Sequence, residues 1–257
     1  MAAIAEIGAY LDTLLGTATT PDSSGAVNGI QVETTVDIRR IAAAVDARER
    51  TIEMAHAAGA QLLIVHHGLF WGGVQPLRGP FFRRLRALLR EGIGVYSSHL
   101  PLDAHPTFGN NALLARALGL EPTEQFARYE SIDIGVAGRV DLPTAELVRR
   151  ASAYALQYAT TVRTAGMRDG RVTRHWAICS GAGAGSETLR EAAERGIDTL
   201  IVGEGPHHSA VDAEELGIAV IYAGHYATEV LGVRAITEHA AAHFGLEWSF
   251  LDVPTGL

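Results

Sequence analysis

Two stretches of this chain echo each other, and the echo limits the fold more than any other feature. Residues 53–68 read EMAHAAGAQLLIVHHG and residues 190–205 read REAAERGIDTLIVGEG. Each gives a helical pattern, a glycine, a short apolar run, then a polar pair and another glycine. A short apolar run bounded in this way is the signature of a strand buried on both faces. Each is followed by a further helix and strand, ending EGIGVYSSH (91–99) in one case and LGIAVIYAGH (216–225) in the other. Both second strands close on a histidine, with an acid four residues later: His99 with Asp103, and His225 with Glu229. The reading is two related helix–strand–helix–strand halves. Such likeness arises either from duplication or from local demands that all units of this kind share.

The rest of the chain extends the alternation. Helical patterns cover 48–59, 80–91, 110–118, 144–157, 187–195 and 229–244. Strand patterns cover 61–66, 94–99, 131–140, 175–179, 199–202, 219–223 and 247–253. Alternation of this kind predicts an α/β protein. We expect two α/β domains with mixed sheets flanked by helices, arranged as pseudo-symmetric halves. The expected division is 1–125 and 126–257, with the boundary in 120–130 and the C-terminal part of the chain free to pack back on the first domain. Ligands of open α/β sheets bind beyond the carboxyl ends of strands, so a site is expected there, between the domains.

Composition narrows the setting. The 257 residues are 47% hydrophobic and 19% charged, ordinary for a globular chain. Cys179 is the single cysteine, which rules out an internal disulfide and suits a reducing compartment such as cytoplasm. The N-terminal MAAIAEIGAYLDTLLG carries Glu6 and Asp12 and no basic start, so it reads as an amphipathic helix and not as a signal peptide. No apolar run approaches the roughly 20 residues that span a bilayer. The net charge of −8 disfavours broad nucleic-acid binding, which leans on Lys and Arg against phosphates.

Three strand ends carry chemistry. In IVHHGLFW, His66 and His67 end a buried run; imidazole suits Zn, Fe, Mn or Ni, although two hydrogen-bonded histidines closing a strand give the same pattern. In SSHLPLDAHPTFGNN, His99 closes a strand and Asp103 follows, either as a carboxylate between ions or as a turn residue. In AGHYATEVLG, His225 ends a strand and Glu229 begins a helix, where an acid also suits the helix dipole. Together the three clusters point to divalent metal more strongly than any one does.

These residues resemble a known family, the dinuclear-metal-centre hexameric proteins, whose members are called GTP cyclohydrolase 1 type 2 homologues or Nif-three-like proteins. HHGLFW, HLPLDAHPTFGNN, GEGPHH and GHYATE occur in the family's order, and the resemblance covers essentially the whole chain. It implies that His66, His67, Asp103, His225 and Glu229 hold two metals, with His99 beside the site as a further ligand or supporting group. Some relatives carry a second histidine where this chain has Tyr226. The resemblance also implies a toroidal homohexamer and hydrolytic opening of a guanine nucleotide ring.

Other residues are candidates for substrate or proton handling. In CSGAGAGS, the glycines and the following helix N-terminus offer backbone N–H groups to an anion, through Gly183, Gly185 and Ser186, with Ser186 a candidate cap; a tight connection explains the same loop. Glu204 stands where the echo places His67 and is a candidate base or orienting group, as is His208, with Pro206 expected at the first helical position. His239 and His243, four apart, read as a solvated face. The leading expectation is a hydrolase using two divalent ions (Zn, Fe, Mn, Ni or Co) on a nucleotide-like small molecule. The alternative is a non-enzymatic regulatory, metal-insertion or scaffold protein.

Overall fold

The computed structural model describes residues 1–257, and its contacts divide them into two compact units. The first holds Met1–Leu102 and Gly232–Val253; the second holds Asp103–Leu231 and Pro254–Leu257. The sequence pattern suggests a break in 120–130. The difference lies in residues 103–125. The helix α5 (Asn110–Ala117) packs on strands of the second unit, and Asn111 ties it there: its Nδ2 donates to Ile134 O, and its Oδ1 accepts from Ser180 N.

The first unit contains α1 (Ile4–Leu15), β1 (Gly29–Val32), β2 (Arg40–Asp46), α2 (Glu49–Ala57), β3 (Leu62–His67), α3 (Gly79–Glu91) and β4 (Gly94–Ser97). A short helical turn, α4 (Leu100–Asp103), ends at the boundary. The chain returns later with the end of α9 (His225–Phe244) and with β11 (Glu247–Phe250). The strands form one sheet in the order β1-β4-β3-β2-β11, in which β4, β3, β2 and β11 are parallel and β1 is antiparallel. The runs Arg40–Asp46 and Leu62–His67 are buried almost throughout, as a parallel sheet requires when helices cover its faces. Ile52, Ala55, Leu63, Val65, Leu88 and Val95 form the core between sheet and helices.

The second unit contains α5, β5 (Glu124–Tyr129), β6 (Ile132–Pro143), α6 (Thr144–Ala155), β7 (Arg163–Ala165), β8 (Val172–Cys179), α7 (Ser186–Glu194), β9 (Thr199–Val202), α8 (His207–Glu215) and β10 (Ala219–Tyr222). Its sheet runs β5-β6-β8-β9-β10-β7. β8, β9 and β10 are parallel, β7 is antiparallel at the edge, and the β5–β6 hairpin adds antiparallel strands beyond β8. Its core is built from Phe126, Ala177, Leu189, Leu200, Val202 and Val220. The two units share one connection pattern: an antiparallel edge strand, then three parallel strands with a helix between each pair. The expected α/β class, with mixed sheets flanked by helices, is the architecture observed.

No helix is long and apolar enough to cross a membrane. Several elements differ from the sequence pattern. α9 starts at His225 rather than at 229, and the last strand stops at Phe250. Gly185 is the N-cap of α7 in place of Ser186, and Pro206 is the N-cap of α8 rather than its first residue. Both caps have the extended backbone that leads into a helix.

Candidate metal centre

In the first unit, His66 and His67 are the last two residues of β3, and His99 lies two residues beyond β4. Parallel pairing of β3 with β4 sets Val65 against Ser97, so the histidines emerge at one end of the sheet. One ligating nitrogen from each of His66, His67 and His99 lies within 4.8 Å of the others. The rings are 4.7–5.7 Å apart between centroids, and the Trp71 indole stands edge-on to His99 at 4.9 Å.

Each of these imidazoles is held through Nδ1. His66 Nδ1 donates to Ser98 O at 2.9 Å, His67 Nδ1 to Asp46 Oδ1 at 3.0 Å, and His99 Nδ1 to Asp22 Oδ1 at 2.7 Å. A carbonyl or carboxylate oxygen only accepts, so Nδ1 carries a proton and Nε2 is the nitrogen left for an ion. Metal-ligating histidines show this outer-shell pattern, which fixes tautomer and ring orientation. Burial works against the Asp22 carboxylate, yet the hydrogen bond and charge of His99, with Asn28 and the Leu100 amide, hold it below the ordinary carboxylate range.

In the second unit, His225 opens α9 and Glu229 follows one turn on, so the spacing of four places both on one helix face. His225 Nδ1 donates to Glu204 Oε1 at 2.8 Å, and its Nε2 stands 3.1 Å from Glu229 Oε2. Burial alone would lower the His225 pKa, but the hydrogen bonds and charges of Glu229 and Glu204 outweigh it and raise the pKa to about 9. Two carboxylates on either side of one imidazole stabilise its cation; a divalent ion offers Glu229 and the imidazole a shared positive partner instead. Asp103 is also buried in this unit, and its Oδ1 accepts from Asn110 Nδ2 at 2.8 Å and from Ser180 Oγ at 3.3 Å.

Glycine at 181 is what gives Glu229 its place. A Cβ there would stand 2.2 Å from Glu229 Oε1 and 3.3 Å from His225 Nε2, and the backbone has φ +59°. Thr228 Oγ1 accepts from the Gly181 amide at 3.0 Å, which fixes the loop against the helix. Burial pushes the Cys179 thiol up to about 12, helped by Asp103, Glu229 and Glu191. It therefore stays protonated, and the donors left are imidazole and carboxylate, a set that fits borderline and hard divalent cations. On the chemistry of the donors and the cradle at Gly181, the residues fit divalent metal.

The whole of this architecture matches one family model, Duf34/NIF3 (NGG1p interacting factor 3), over residues 2–255. The chain belongs to the DUF34/NIF3 family. A relative from Deinococcus radiodurans called "GTP cyclohydrolase 1 type 2 homolog" is 43% identical over 253 residues, covering 98% of this chain and 94% of its own length. Among solved structures, protein ybgI, of unknown function, is 32% identical with a TM-score of 0.89, covering 99% of this chain and 100% of its own. TTHA1606 from Thermus thermophilus is 36% identical with a TM-score of 0.81, covering 98% of each chain. The family and the fold class read from the sequence are thus those found.

The other candidates in this DUF34/NIF3 chain fall in several places. Glu204 orients His225. His208 is exposed in the first turn of α8. Gly183 has no room for a side chain, since a Cβ would lie 2.0 Å from Cys179 O, so that glycine serves the tight connection. Gly185 and Ser186 open α7. His239 and His243 meet Tyr10 rather than solvent alone: Tyr10 Oη is 2.6 Å from His239 Nε2, and its ring stacks on His243 at 4.1 Å. The residues that sequence reasoning missed are the orienting ones, Asp22, Asp46, Asn110 and Ser180.

Proposed function

We propose that the chain holds two divalent ions on His66, His67, Asp103, His225 and Glu229, and that it hydrolyses a nucleotide-like substrate with them. The observation that carries this reading is the common orientation of four imidazoles, each with Nδ1 given to an oxygen acceptor. Each of these bonds fixes its ring and leaves Nε2 as the nitrogen for an ion. The name carried by the relatives supports the hydrolytic class and the guanine nucleotide as first substrate to try.

Bound divalent ions supply Lewis-acid polarisation and activation of water at neutral pH. The chain's own residues set the conditions for that. Glu204, Asp46 and the Ser98 carbonyl fix the rings through Nδ1 and so aim Nε2. Asn110 and Ser180 hold the Asp103 carboxylate in one orientation. Glu204 is the group beside the ligands able to take or return a proton, and His99 stands by His66 and His67 as a further donor. Zn, Fe, Mn, Ni and Co all suit the donor set. We propose further that the working form is a ring-shaped homohexamer in the cytoplasm.

The test is elemental analysis of protein purified without added metal, with GTP turnover and light scattering on the same sample. We expect about two ions per chain, hydrolysis of GTP or a related nucleotide, and a mass six times that of the 27.3 kDa chain. Asp103→Ala and Glu229→Ala should each lose metal and turnover together, since losing a ligand removes the ion rather than weakening one step. Full metal retention in both variants would sink the ligand assignment.

A further inference from the structure

The segment between α1 and β1 has no regular structure, yet one of its side chains is fastened by four hydrogen bonds. Asp22 Oδ1 accepts from His99 Nδ1 at 2.7 Å and from the Ser23 amide at 2.7 Å. Its Oδ2 accepts from Asn28 Nδ2 at 2.9 Å and from the Leu100 amide at 3.0 Å. The carboxylate thus takes four donors, two on each oxygen, and its side chain is only 6% exposed. Asn28 completes the loop from the other side, because its Oδ1 accepts from the His99 amide at 2.8 Å.

We infer that Asp22 is a positioning residue of the metal centre, acting through His99, which it presents as a third nitrogen donor beside His66 and His67. This rests on the metal-binding reading above. Two comparisons favour a dedicated role over general packing. The bond to His99 is shorter than that of Asp46 to His67, 2.7 against 3.0 Å, and Asp46 is 28% exposed where Asp22 is 6%. The second is chemical. A buried carboxylate is costly unless fully hydrogen-bonded, and Asp22 spends one of its four bonds on an imidazole whose other nitrogen faces the histidine cluster. Gln31, in the β1 strand that follows, reaches the other strand end: its Oε1 accepts from the Leu69 amide at 2.6 Å, directly after the His66–His67–Gly68 turn. The N-terminal segment therefore fixes the ends of β3 and β4 that carry histidine.

An amide at position 22 replaces one acceptor oxygen with a donor and must face at least one of the four donors now served. Exchange of the pair, Asp22→Asn with Asn28→Asp, restores a donor–acceptor match between the two side chains at unchanged net charge and returns an oxygen to His99.

The experiment is a cobalt titration of the metal-free full chain, followed by the visible absorption of bound Co²⁺. It is run on the native protein, Asp22→Asn, His99→Ala, the double variant and the Asp22→Asn/Asn28→Asp exchange. Loss of an orienting partner typically weakens metal affinity about 10–100-fold, and we expect Asp22→Asn to do so. In the His99→Ala background, Asp22→Asn should then add nothing, because residues acting through one contact are non-additive. The exchange should recover most of the lost affinity. Native affinity in Asp22→Asn overturns the inference, as do losses that multiply in the double variant. Should Asp22→Asn not fold, the exchange decides: near-native affinity supports the role, and a loss as large as that of His99→Ala overturns it. Native protein that takes up no cobalt overturns both this inference and the metal-binding reading, whereas native uptake with an unchanged Asp22→Asn overturns this inference alone.

Discussion

The sheets of the two units are built on one plan, and they differ where chemistry is placed. In both, an antiparallel edge strand precedes three parallel strands, β1 before β2-β3-β4 and β7 before β8-β9-β10. Val65 pairs with Ala44 and Ser97, and Val202 pairs with Cys179 and Tyr222, so these two valines are equivalent. Beyond them the units diverge. The first has His66 and His67; the second has Gly203 and Glu204. Across the neighbouring strand, Asp46 orients His67, whereas the matching position in the second unit is Gly181, which leaves room for Glu229. The first unit draws its donors from a strand end and the second from a helix. His225 also stands one register position later than His99, three residues past Tyr222 rather than two past Ser97. The lesson is that a shared frame fixes where the polar side chains emerge, while Gly181 and Gly203 leave that place in the second unit to side chains of α9.

The strongest way to break this comparison is to give the second unit the first unit's residue. A Cβ at Gly203 would stand 2.5 Å from Gly181 O and 2.8 Å from His225 Cα. Both are backbone atoms, so neither moves aside cheaply. Overpacking of this kind costs about 1–3 kcal/mol for small additions. Gly203→Ala should fall in that range by urea unfolding, and Gly203→His should yield no soluble folded protein. A Gly203→His variant with a native unfolding midpoint would mean that the two strand ends are interchangeable.

A second contrast concerns charge. His225 lies between two carboxylates, and its pKa rises from the ordinary 6.5 to about 9. A raised value means that the folded, metal-free protein binds the proton more tightly than the unfolded chain. The associated stability is fully present below pH 6.5 and is lost as pH rises through about 9. Metal must displace that proton, because only neutral imidazole is a ligand. We therefore expect the metal-free protein to unfold progressively more easily from pH 6.5 to about 9, and metal affinity to strengthen over the same window. Calorimetric titration in buffers of different ionisation heat should show proton release on binding between these limits. His225→Gln should remove both slopes; if they persist, the coupled proton lies elsewhere.

The same contrast explains what is legible in the sequence. LLIVHH and TLIV are apolar runs with abrupt ends, so β3, β9 and the two histidines that close β3 stand out by pattern alone. The helix at 225 is harder to see, since His225 and Tyr226 follow a glycine and look like loop. β2 is RIAAAVD, and three consecutive alanines carry no clear period, so the strand that bears Asp46 does not show in the pattern. Asp22 sits in PDSSG, which has the composition of a turn. Nothing local distinguishes an aspartate that ends a turn from one that receives an imidazole 77 positions away. Ligands announce themselves by type and position in an element, whereas the residues that orient them are defined only once the chain is folded. The division at residue 102 is hidden for a similar reason, because α5 is assigned by what Asn111 touches and not by its own sequence.

The smallest expected effect lies within the second unit and sharpens the comparison on its orienting side. His67 and His99 need acceptors to orient them, and aspartates serve; the Asp103 carboxylate needs donors instead, and Asn110 and Ser180 supply them at 2.8 and 3.3 Å. The longer contact is the weaker one. Both bonds go to one carboxylate oxygen, the charged kind that contributes about 1.5–3 kcal/mol, and the longer Ser180 contact is the poorer in geometry. Asn110→Ala should therefore lower stability and metal affinity measurably, and Ser180→Ala should lower both by less, with the two read side by side by thermal unfolding and cobalt titration. The reverse order would show that Ser180, directly after β8 and directly before Gly181, holds the carboxylate in place of the asparagine. The second unit would then orient its carboxylate from the strand end, as the first orients its imidazoles.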